Sequence, residues 1–172
     1  MFTLETERLT LRELSTDDAE FILRLLNEPS FIRFIGDKGV RNLDDARQYI
    51  LNGPIASYQK HGFGLYLVIL NSTGEPIGMC GLLKRDTLSD VDIGFAFVPE
   101  TCRQGYAFES ASAVFNYGKD VLKLPRIVAI TNIDNDASGR LLEKLGLRYE
   151  RLIDLNGNGD VTRLFSSADL QT

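Results

Sequence analysis

The clearest chemical signal in this sequence is a short stretch between a predicted strand and a long predicted helix. Residues 102–110, CRQGYAFES, contain Arg103, Gly105 and Ala107 at the point where the helix begins. The first N–H groups of a helix lack intrahelical partners and lie at the positive end of its dipole, so they bind anions. The two small residues let a phosphate approach these amides, and the arginine adds a mobile positive charge. The stretch predicts an anion site, although an ordinary strand-to-helix turn with a glycine has the same pattern.

The residue types that bind metals are too few, or wrongly spaced, for a metal centre. Cys80 and Cys102 lie on different predicted elements without a CxxC spacing, and His61 is the only histidine, so a zinc site lacks ligands. Residues 154–159, DLNGNG, fit the opening of a calcium loop, but Phe165 stands where the loop needs a bidentate glutamate. We therefore expect no metal, a hairpin turn at 154–159, and a core position for Cys80.

Length and charge exclude several classes of protein. The chain has 172 residues and a net charge of −5, which predicts one domain over residues 1–172 and argues against a general electrostatic grip on nucleic acid or anionic lipid. The longest apolar run, residues 65–70, is far shorter than the roughly 20 residues that span a bilayer. The start, MFTLETERLT, has acids where a signal peptide has basic residues, so we expect a cytoplasmic protein with reduced cysteines and no membrane partner.

In the N-terminal third, strand and helix signals alternate. Residues 8–14 have the period of a half-buried strand, and Ser15 with Asp18 has the spacing of a capping box before a helix that ends at Pro29. Asn42 is placed to cap a second helix, which we expect Gly53-Pro54 to interrupt before His61.

The remainder predicts a sheet with one crossover. Residues 63–70 and 76–84 form a predicted hairpin, and a third strand, 91–99, contains Gly94, which marks a bulge or a close approach of the backbone. A helix over 107–122 leads to a continuous apolar strand, which implies a parallel pair with a crossover helix. The remaining predicted elements are the strand 126–132, a helix over 136–145 closed by Gly146, and strands 147–154 and 161–170. The order indicates an α+β fold, with a mixed, mostly antiparallel sheet of about seven strands and about four helices.

Several separated motifs, in register along nearly the whole chain, resemble one family. Residues 92–110, DIGFAFVPETCRQGYAFES, resemble motif A of the GNAT superfamily of N-acetyltransferases, whose pattern is Gln or Arg, two residues, Gly, one residue, then Gly or Ala. Gly105 and Ala107 match it, whereas Cys102 replaces the first residue and Arg103 replaces the usual glycine. Three further stretches resemble the branch that contains the bacterial ribosomal-protein N-terminal acetyltransferases: LETERLTLREL (4–14), NEP (27–29) and NDASGRLLEKLGLRYE (135–150).

The resemblance implies a cofactor, acetyl-CoA, bound between the two parallel strands where they splay apart. Its pantetheine is expected to pair like an extra strand beside Phe95, Ala96, Phe97 and Val98. Its pyrophosphate is expected to rest on the backbone amides of Arg103, Gln104, Gly105, Tyr106 and Ala107.

The resemblance also implies roles for three polar residues. Asp92 matches a position where many relatives carry an acid, and it is a candidate base; the alternative is a solvated strand acid. Many relatives protonate the departing sulfur with a tyrosine whose equivalent here is Leu142, so Ser138, one turn earlier on the same face, is the candidate donor to the sulfur. Asn135 matches the branch's asparagine and is also placed to cap the helix that presents Ser138.

The function implied is acetyl transfer to a primary amine by direct attack in a ternary complex. The acceptor is either a protein N-terminal α-amine or a small-molecule amine, and the net charge of −5 mildly favours a cationic one. Aromatic residues such as Tyr49 and Phe63 are candidates for an acceptor cleft, although such residues more often belong to the core. The alternative is a non-catalytic acyl-CoA-binding or sensor protein of the same fold, and both a monomer and a homodimer remain open.

Overall fold

A computed structural model describes residues 2–171, in which eight strands form one sheet of order β1-β2-β3-β4-β5-β6-β8-β7. The pattern predicted seven. The additional strand is β1, which has only three residues, too few to show alternation, and pairs antiparallel with β2. The strands are β1 Thr3–Glu5, β2 Leu9–Glu13, β3 Leu65–Leu70, β4 Glu75–Leu83, β5 Val91–Phe97, β6 Ile127–Asn132, β7 Arg148–Asp154 and β8 Val161–Ser166.

The helices are α1 Ala19–Leu26, α2 Pro29–Phe34, α3 Leu43–Ile50, α4 Ala56–His61, α5 Tyr106–Asp120 and α6 Asp136–Leu145. The α-helix is interrupted at Gly53-Pro54, as predicted, but by a π-helical turn over Leu51–Ile55 that connects α3 to α4 rather than by a break in the helix. The wider turn accommodates the missing N–H and the ring of Pro54, which is buried. The extra helix is α2: Pro29 ends α1, as predicted, but also occupies the first turn of a new helix, where its fixed φ is favourable.

Local capping signals have the predicted partners. Ser15 and Asp18 form a capping box at a 3₁₀ turn that leads into α1. The Asn42 side chain accepts a hydrogen bond from the Asp45 N–H at 2.8 Å at the start of α3. Gly146 ends α6 with φ of 102°, a left-handed conformation that side chains disfavour. Asp154 accepts hydrogen bonds from the backbone of the β7–β8 turn, so the residues that resemble a calcium loop form a hairpin turn.

Helices cover both faces of the sheet. Because side chains alternate along a strand, Tyr66 packs in the cluster that contains α5 and α6 residues, whereas Leu67 packs in the cluster that contains α1 and α3 residues. Cys80 is fully buried in the first cluster, as predicted. The sheet is therefore the middle layer, and β5 and β6 lead into α5 and α6, whose starts they position.

The parallel pair β5–β6 opens after two residues. Val91 pairs with Ile127 and Asp92 pairs with Val128, after which the two strands diverge, while β5 stays paired with β4 as far as Phe97. The ladder between β4 and β5 is regular across Gly94, so the predicted bulge is absent there; a register shift lies instead between Val68 and Ile69 of β3. One edge of β5 is consequently unpaired beyond Asp92.

Candidate active site

The opening between β5 and β6 presents a strand edge with free backbone groups. Phe95, Ala96 and Phe97 are half-buried, and β4 occupies only one of their two edges. The Val98 N–H donates to the Ile77 carbonyl at 3.0 Å, and its carbonyl accepts from the Thr101 N–H. Because backbone groups alternate sides along a strand, Ala96 also faces β4, whereas Phe95 and Phe97 face the open edge. Val98 is also buried. The edge that can pair with an extended ligand therefore ends at Phe97.

The predicted anion loop follows directly from this edge. After a 3₁₀ turn at Pro99–Thr101, Arg103 and Gly105 both have left-handed backbones, with φ of 64° and 83°, and α5 begins at Tyr106. Within residues 2–171, no acceptor is found for the backbone N–H groups of residues 103–108. The left-handed φ of Arg103 explains why related loops place glycine there, since a side chain in that conformation costs about 1–2 kcal/mol. The loop therefore presents a run of amides that can bind an anion.

A charged clasp joins this loop to the start of the chain. The Arg8 Nε donates to Glu109 Oε1 at 2.7 Å, the Arg8 backbone N–H donates to Glu109 Oε2 at 2.9 Å, and Arg8 Nη1 donates to the Gln104 carbonyl at 3.0 Å. The Thr6 hydroxyl also donates to Glu109. Burial alone would raise the pKa of Glu109, but the hydrogen bonds from Thr6 and Arg8 outweigh it and hold that pKa below its usual range. Sequence reasoning missed this clasp, because no local pattern relates residues so far apart in the chain.

Asp92 lies where β5 and β6 separate. It is only 1% exposed, and Arg85 Nε donates to its Oδ1 at 3.1 Å. The alternative of a solvated acid is therefore wrong. Burial raises the pKa of Asp92, while the charge and hydrogen bond of Arg85 act in the opposite direction without cancelling the effect. A buried carboxyl whose pKa is raised is a better proton acceptor than an exposed one.

The start of α6 follows β6, the second strand of the opening. Asn135 Oδ1 accepts a hydrogen bond from the Ser138 N–H at 3.2 Å, which confirms Asn135 as the cap of this helix. Ser138 is half-buried in the first turn, and Leu142, one turn later, is only 1% exposed. Across the described chain no hydrogen bond joins Ser138 to Asp92, which lies on β5.

Arg163 is a further residue of this region that sequence reasoning missed. From β8 it reaches across β6, where its Nη2 donates to the Asn135 carbonyl at 2.8 Å and its Nε donates to the Thr131 hydroxyl at 3.2 Å. Its guanidinium also lies 3.7 Å from a carboxylate oxygen of Asp136. Arg163 thus anchors the start of α6, and the only signal available in the sequence was a charged residue inside an otherwise apolar strand.

An open cavity of about 440 Å³ is lined by the α2–α3 connection, by α3 and by the first residues of the π-helical turn. Lys38, Gln48, Tyr49 and Asn52 are among its lining residues. Desolvation lowers the pKa of Lys38, and the positive charge of Arg85 lowers it further. Of the aromatic residues considered for an acceptor cleft, Tyr49 lines this cavity.

The part of the chain from residue 2 to residue 171 contains no group of three His, Cys, Asp or Glu side chains that could hold a metal ion. Over the same residues, no helix combines the length and the apolar character needed to cross a membrane.

The family model of the acetyltransferase (GNAT) domain matches residues 8–148. The chain belongs to the GNAT family of acetyltransferases. An uncharacterized N-acetyltransferase, YoaA of Bacillus subtilis (strain 168), is 32% identical over 151 residues, which cover 87% of this chain and 85% of that protein. The resemblance that the separated motifs indicated is thereby confirmed, and the chain is an acetyltransferase.

Solved GNAT structures have the same architecture. The acetyltransferase (GNAT family) from Bacillus anthracis is 26% identical, with a TM-score of 0.80 over 97% of this chain and 98% of that chain. RimL, the ribosomal L7/L12 alpha-N-protein acetyltransferase in complex with coenzyme A, has a TM-score of 0.84 over 99% of this chain and 100% of its own, at 16% identity. This second likeness concerns the fold alone. Acetyltransferases of this fold use acetyl-CoA, and the unpaired β5 edge and the free amides of the loop fit such a cofactor.

Proposed function

We propose that this acetyltransferase transfers the acetyl group of acetyl-CoA to a primary amine by direct attack in a ternary complex. The observation that carries this proposal is the opening between β5 and β6, where a free strand edge leads directly to a loop with unpaired amides. An extended chain that ends in phosphates needs both features, in that order. The activated acetyl group is supplied by the cofactor as a thioester; the residues of the chain bind, orient and move protons.

Cofactor binding is assigned to two groups of residues. The free edge of Phe95, Ala96 and Phe97 pairs with the amides of the pantetheine, as an added strand pairs with a sheet edge. Val98 lies at the end of this edge and does not pair with the cofactor through its backbone, because its N–H and carbonyl already have partners in the chain. The pyrophosphate is held by the amides of residues 103–107, Arg103, Gln104, Gly105, Tyr106 and Ala107, at the positive end of α5.

Asp92 acts as the base, directly or through one water molecule. An amine attacks only when it is neutral, and a lysine amine with a reference pKa of about 10.4 is mostly protonated near neutral pH. An α-amine, with a reference pKa of about 8, needs less help. The buried position of Asp92 favours proton uptake, since burial raises its pKa. The side chain of Arg85 fixes the orientation of the carboxylate.

The Ser138 hydroxyl donates a hydrogen bond to the departing sulfur. No tyrosine is available for this step at the next turn of α6, because that position is the buried Leu142. Asn135 supports Ser138 by capping the helix that carries it. A serine hydroxyl is a weaker proton donor than a protonated base, so its role is to stabilise the sulfur while the proton comes from solvent or from the acceptor amine.

The acceptor is a primary amine, either a protein N-terminal α-amine or a small molecule. The open cavity lined by Lys38 and Tyr49 is the candidate place for the acceptor. The similarity of fold to RimL, which is named as acting on a ribosomal protein's α-amine, supports the first class of acceptor. The net charge of −5 supports a cationic small molecule.

The test is release of coenzyme A thiol from acetyl-CoA in the presence of amine panels: short peptides with free N-termini, polyamines, amino acids and aminoglycosides. The proposal expects amine-dependent release and an acetylated product of the matching mass. Release at the rate seen with water alone, across all panels, together with tight binding of acetyl-CoA, would favour the sensor alternative, which the loss of the usual tyrosine at Leu142 keeps open. Ser138→Ala should slow turnover of a good acceptor, whereas Ser112→Ala, on α5, serves as its control.

A further inference from the structure

Arg8 lies beside the anion loop, and its hydrogen bonds to the chain do not occupy all of its N–H donors. Its Nε donates to Glu109 and its Nη1 donates to the Gln104 carbonyl, but its Nη2 has no hydrogen-bond partner among the described residues. The guanidinium lies 4.5 Å from the centre of the Tyr106 ring. An arginine side chain has five N–H donors, and two of them are on this unpaired nitrogen.

The direction of Nη2 is fixed by the loop itself. A Cβ atom placed on Gly105 would lie 3.2 Å from Nη2, so the nitrogen stands directly against the backbone at Gly105. Gly105 is the residue at which the free amides of the loop meet the first turn of α5. A phosphate bound to those amides is within reach of the guanidinium, and Arg103 is the other cation of the loop.

We propose that Arg8, from the N-terminal segment, is a phosphate-binding residue that contacts the pyrophosphate of coenzyme A on this loop. The inference rests on the proposed cofactor site. Two further contacts support it. The Nη1 group donates a hydrogen bond to the Gln104 carbonyl, so that carbonyl has a partner and does not oppose the anion. Glu109 accepts from Nε and from the Arg8 backbone N–H, which holds the guanidinium in one orientation.

A purely structural role for Arg8 leads to a different expectation for Glu109. If Arg8 acts only as a clasp, loss of either partner disrupts the loop equally. If Arg8 binds phosphate, Glu109 is a neighbouring negative charge that reduces the field at the anion. Replacing Glu109 with glutamine removes that charge and weakens the hold on the guanidinium but leaves the arginine, so it should weaken the binding of coenzyme A less than loss of Arg8 does.

The experiment is calorimetric titration of the full chain with coenzyme A and with 3′-dephospho-coenzyme A, using Arg8→Gln, Arg8→Lys, Glu109→Gln and Arg47→Gln. Arg47 is an exposed arginine on α3 whose partner among the described residues is Asp44, so it controls for the change in net charge. We expect Arg8→Gln to weaken both ligands by about 10-fold to 100-fold, Arg8→Lys and Glu109→Gln to lose less, and Arg47→Gln to bind as tightly as the unaltered chain.

Other results overturn the inference in distinct ways. Equal weakening by Arg8→Gln and Glu109→Gln shows a structural clasp, and a loss confined to coenzyme A places the contact on the 3′-phosphate. Unchanged binding by Arg8→Gln, with an unchanged melting temperature, shows that Arg8 contacts no phosphate. Failure of the unaltered chain to bind either ligand contradicts the proposed cofactor site itself, and so is distinguishable from failure of this inference.

Discussion

At Asp92, burial and a neighbouring positive charge have opposite effects on the pKa of the carboxyl. Its carboxyl is buried, which raises its pKa, and Arg85 partly opposes that rise. Because a protonated carboxyl cannot accept a proton from the amine, the rate should fall as pH decreases through this pKa. The raised pKa places the acid limb of the pH–rate profile above the range of an ordinary aspartate, whose reference pKa is about 3.9.

Asp92→Asn should lower kcat by about 10²-fold to 10⁴-fold and abolish that limb, since an amide cannot take up the proton. The measurement is kcat against pH for the unaltered chain, for Asp92→Asn and for the control Asp86→Asn, whose side chain is exposed. An Asp92→Asn variant with the same rate and the same acid limb would show that water or another group serves as base.

Arg163 is a positioning residue for the start of α6. Arg163→Gln removes the charged hydrogen bond to the Asn135 carbonyl, and the free energy of unfolding should decrease by about 1.5–3 kcal/mol. Arg140→Gln, an exposed change on the same helix, should stay within about 0.5 kcal/mol of the unaltered chain. Urea denaturation measures both. Equal stabilities for the two variants would contradict the anchoring role.

At the scale of elements, the free edge of β5 depends on close packing against β4. A Cβ on Gly78 would lie 2.4 Å from the Ala96 carbonyl oxygen, a separation that backbone atoms do not tolerate. Gly78→Ala must therefore displace β5 at the residues proposed to pair with the cofactor. We expect a loss of stability of about 1–3 kcal/mol and weaker binding of coenzyme A.

Gly53→Ala is the control, because it lies outside the sheet and, its chain neighbours aside, nothing lies within 4 Å of the added Cβ. Gly53 is helical and precedes Pro54, whose ring disfavours a Cβ there, so we expect this variant to lose some stability but to bind coenzyme A as tightly as the unaltered chain. Thermal unfolding and titration with coenzyme A check both variants. A Gly78→Ala variant as stable as the unaltered chain, with equal affinity, would mean that β5 moves freely and that its edge is not fixed by β4.

Local signals explain which elements could be predicted from the sequence. The caps at Ser15, Asn42 and Asn135 are bonds between near neighbours, so residue type and spacing suffice to locate them. The strand β1 is too short to show a period, and Pro54 within a helix depends on a π turn that no pattern specifies.

The loop of the candidate site could be predicted from the sequence, whereas most contacts of its charged residues could not. Gly105, Ala107 and the helix start can be found from residue type, and Asp92 from its match to related acids. The burial of Asp92, and its pairing with Arg85, depend on how β4, β5 and β6 meet. Arg8 and Arg163 act on residues distant in sequence, so their partners become visible only in the folded chain.

At the scale of the whole molecule, the net charge is negative, whereas the proposed ligand of the α5 loop is an anion. The chain carries a net charge of −5, and the loop at the start of α5 combines free amides with Arg103 and Arg8. Electrostatic interactions between exposed charges are screened beyond about 10 Å in ordinary salt, so the groups next to the loop matter more for an anion there than the net charge does. A negative net charge and the proposed local binding of an anionic cofactor are therefore compatible.

The most direct test of the cofactor site is amide hydrogen–deuterium exchange of the whole chain with and without acetyl-CoA. Binding between the splayed strands should slow exchange at Phe95 and Phe97, which face the open edge of β5, and at residues 103–108, whose N–H groups have no acceptor among the described residues. Peptides from β7, on the far edge of the sheet, should exchange unchanged. NADH, a different nucleotide cofactor, should give no protection. Protection by acetyl-CoA that avoids both segments, or no protection at all, would contradict the assignment of this opening as the acetyl-CoA site.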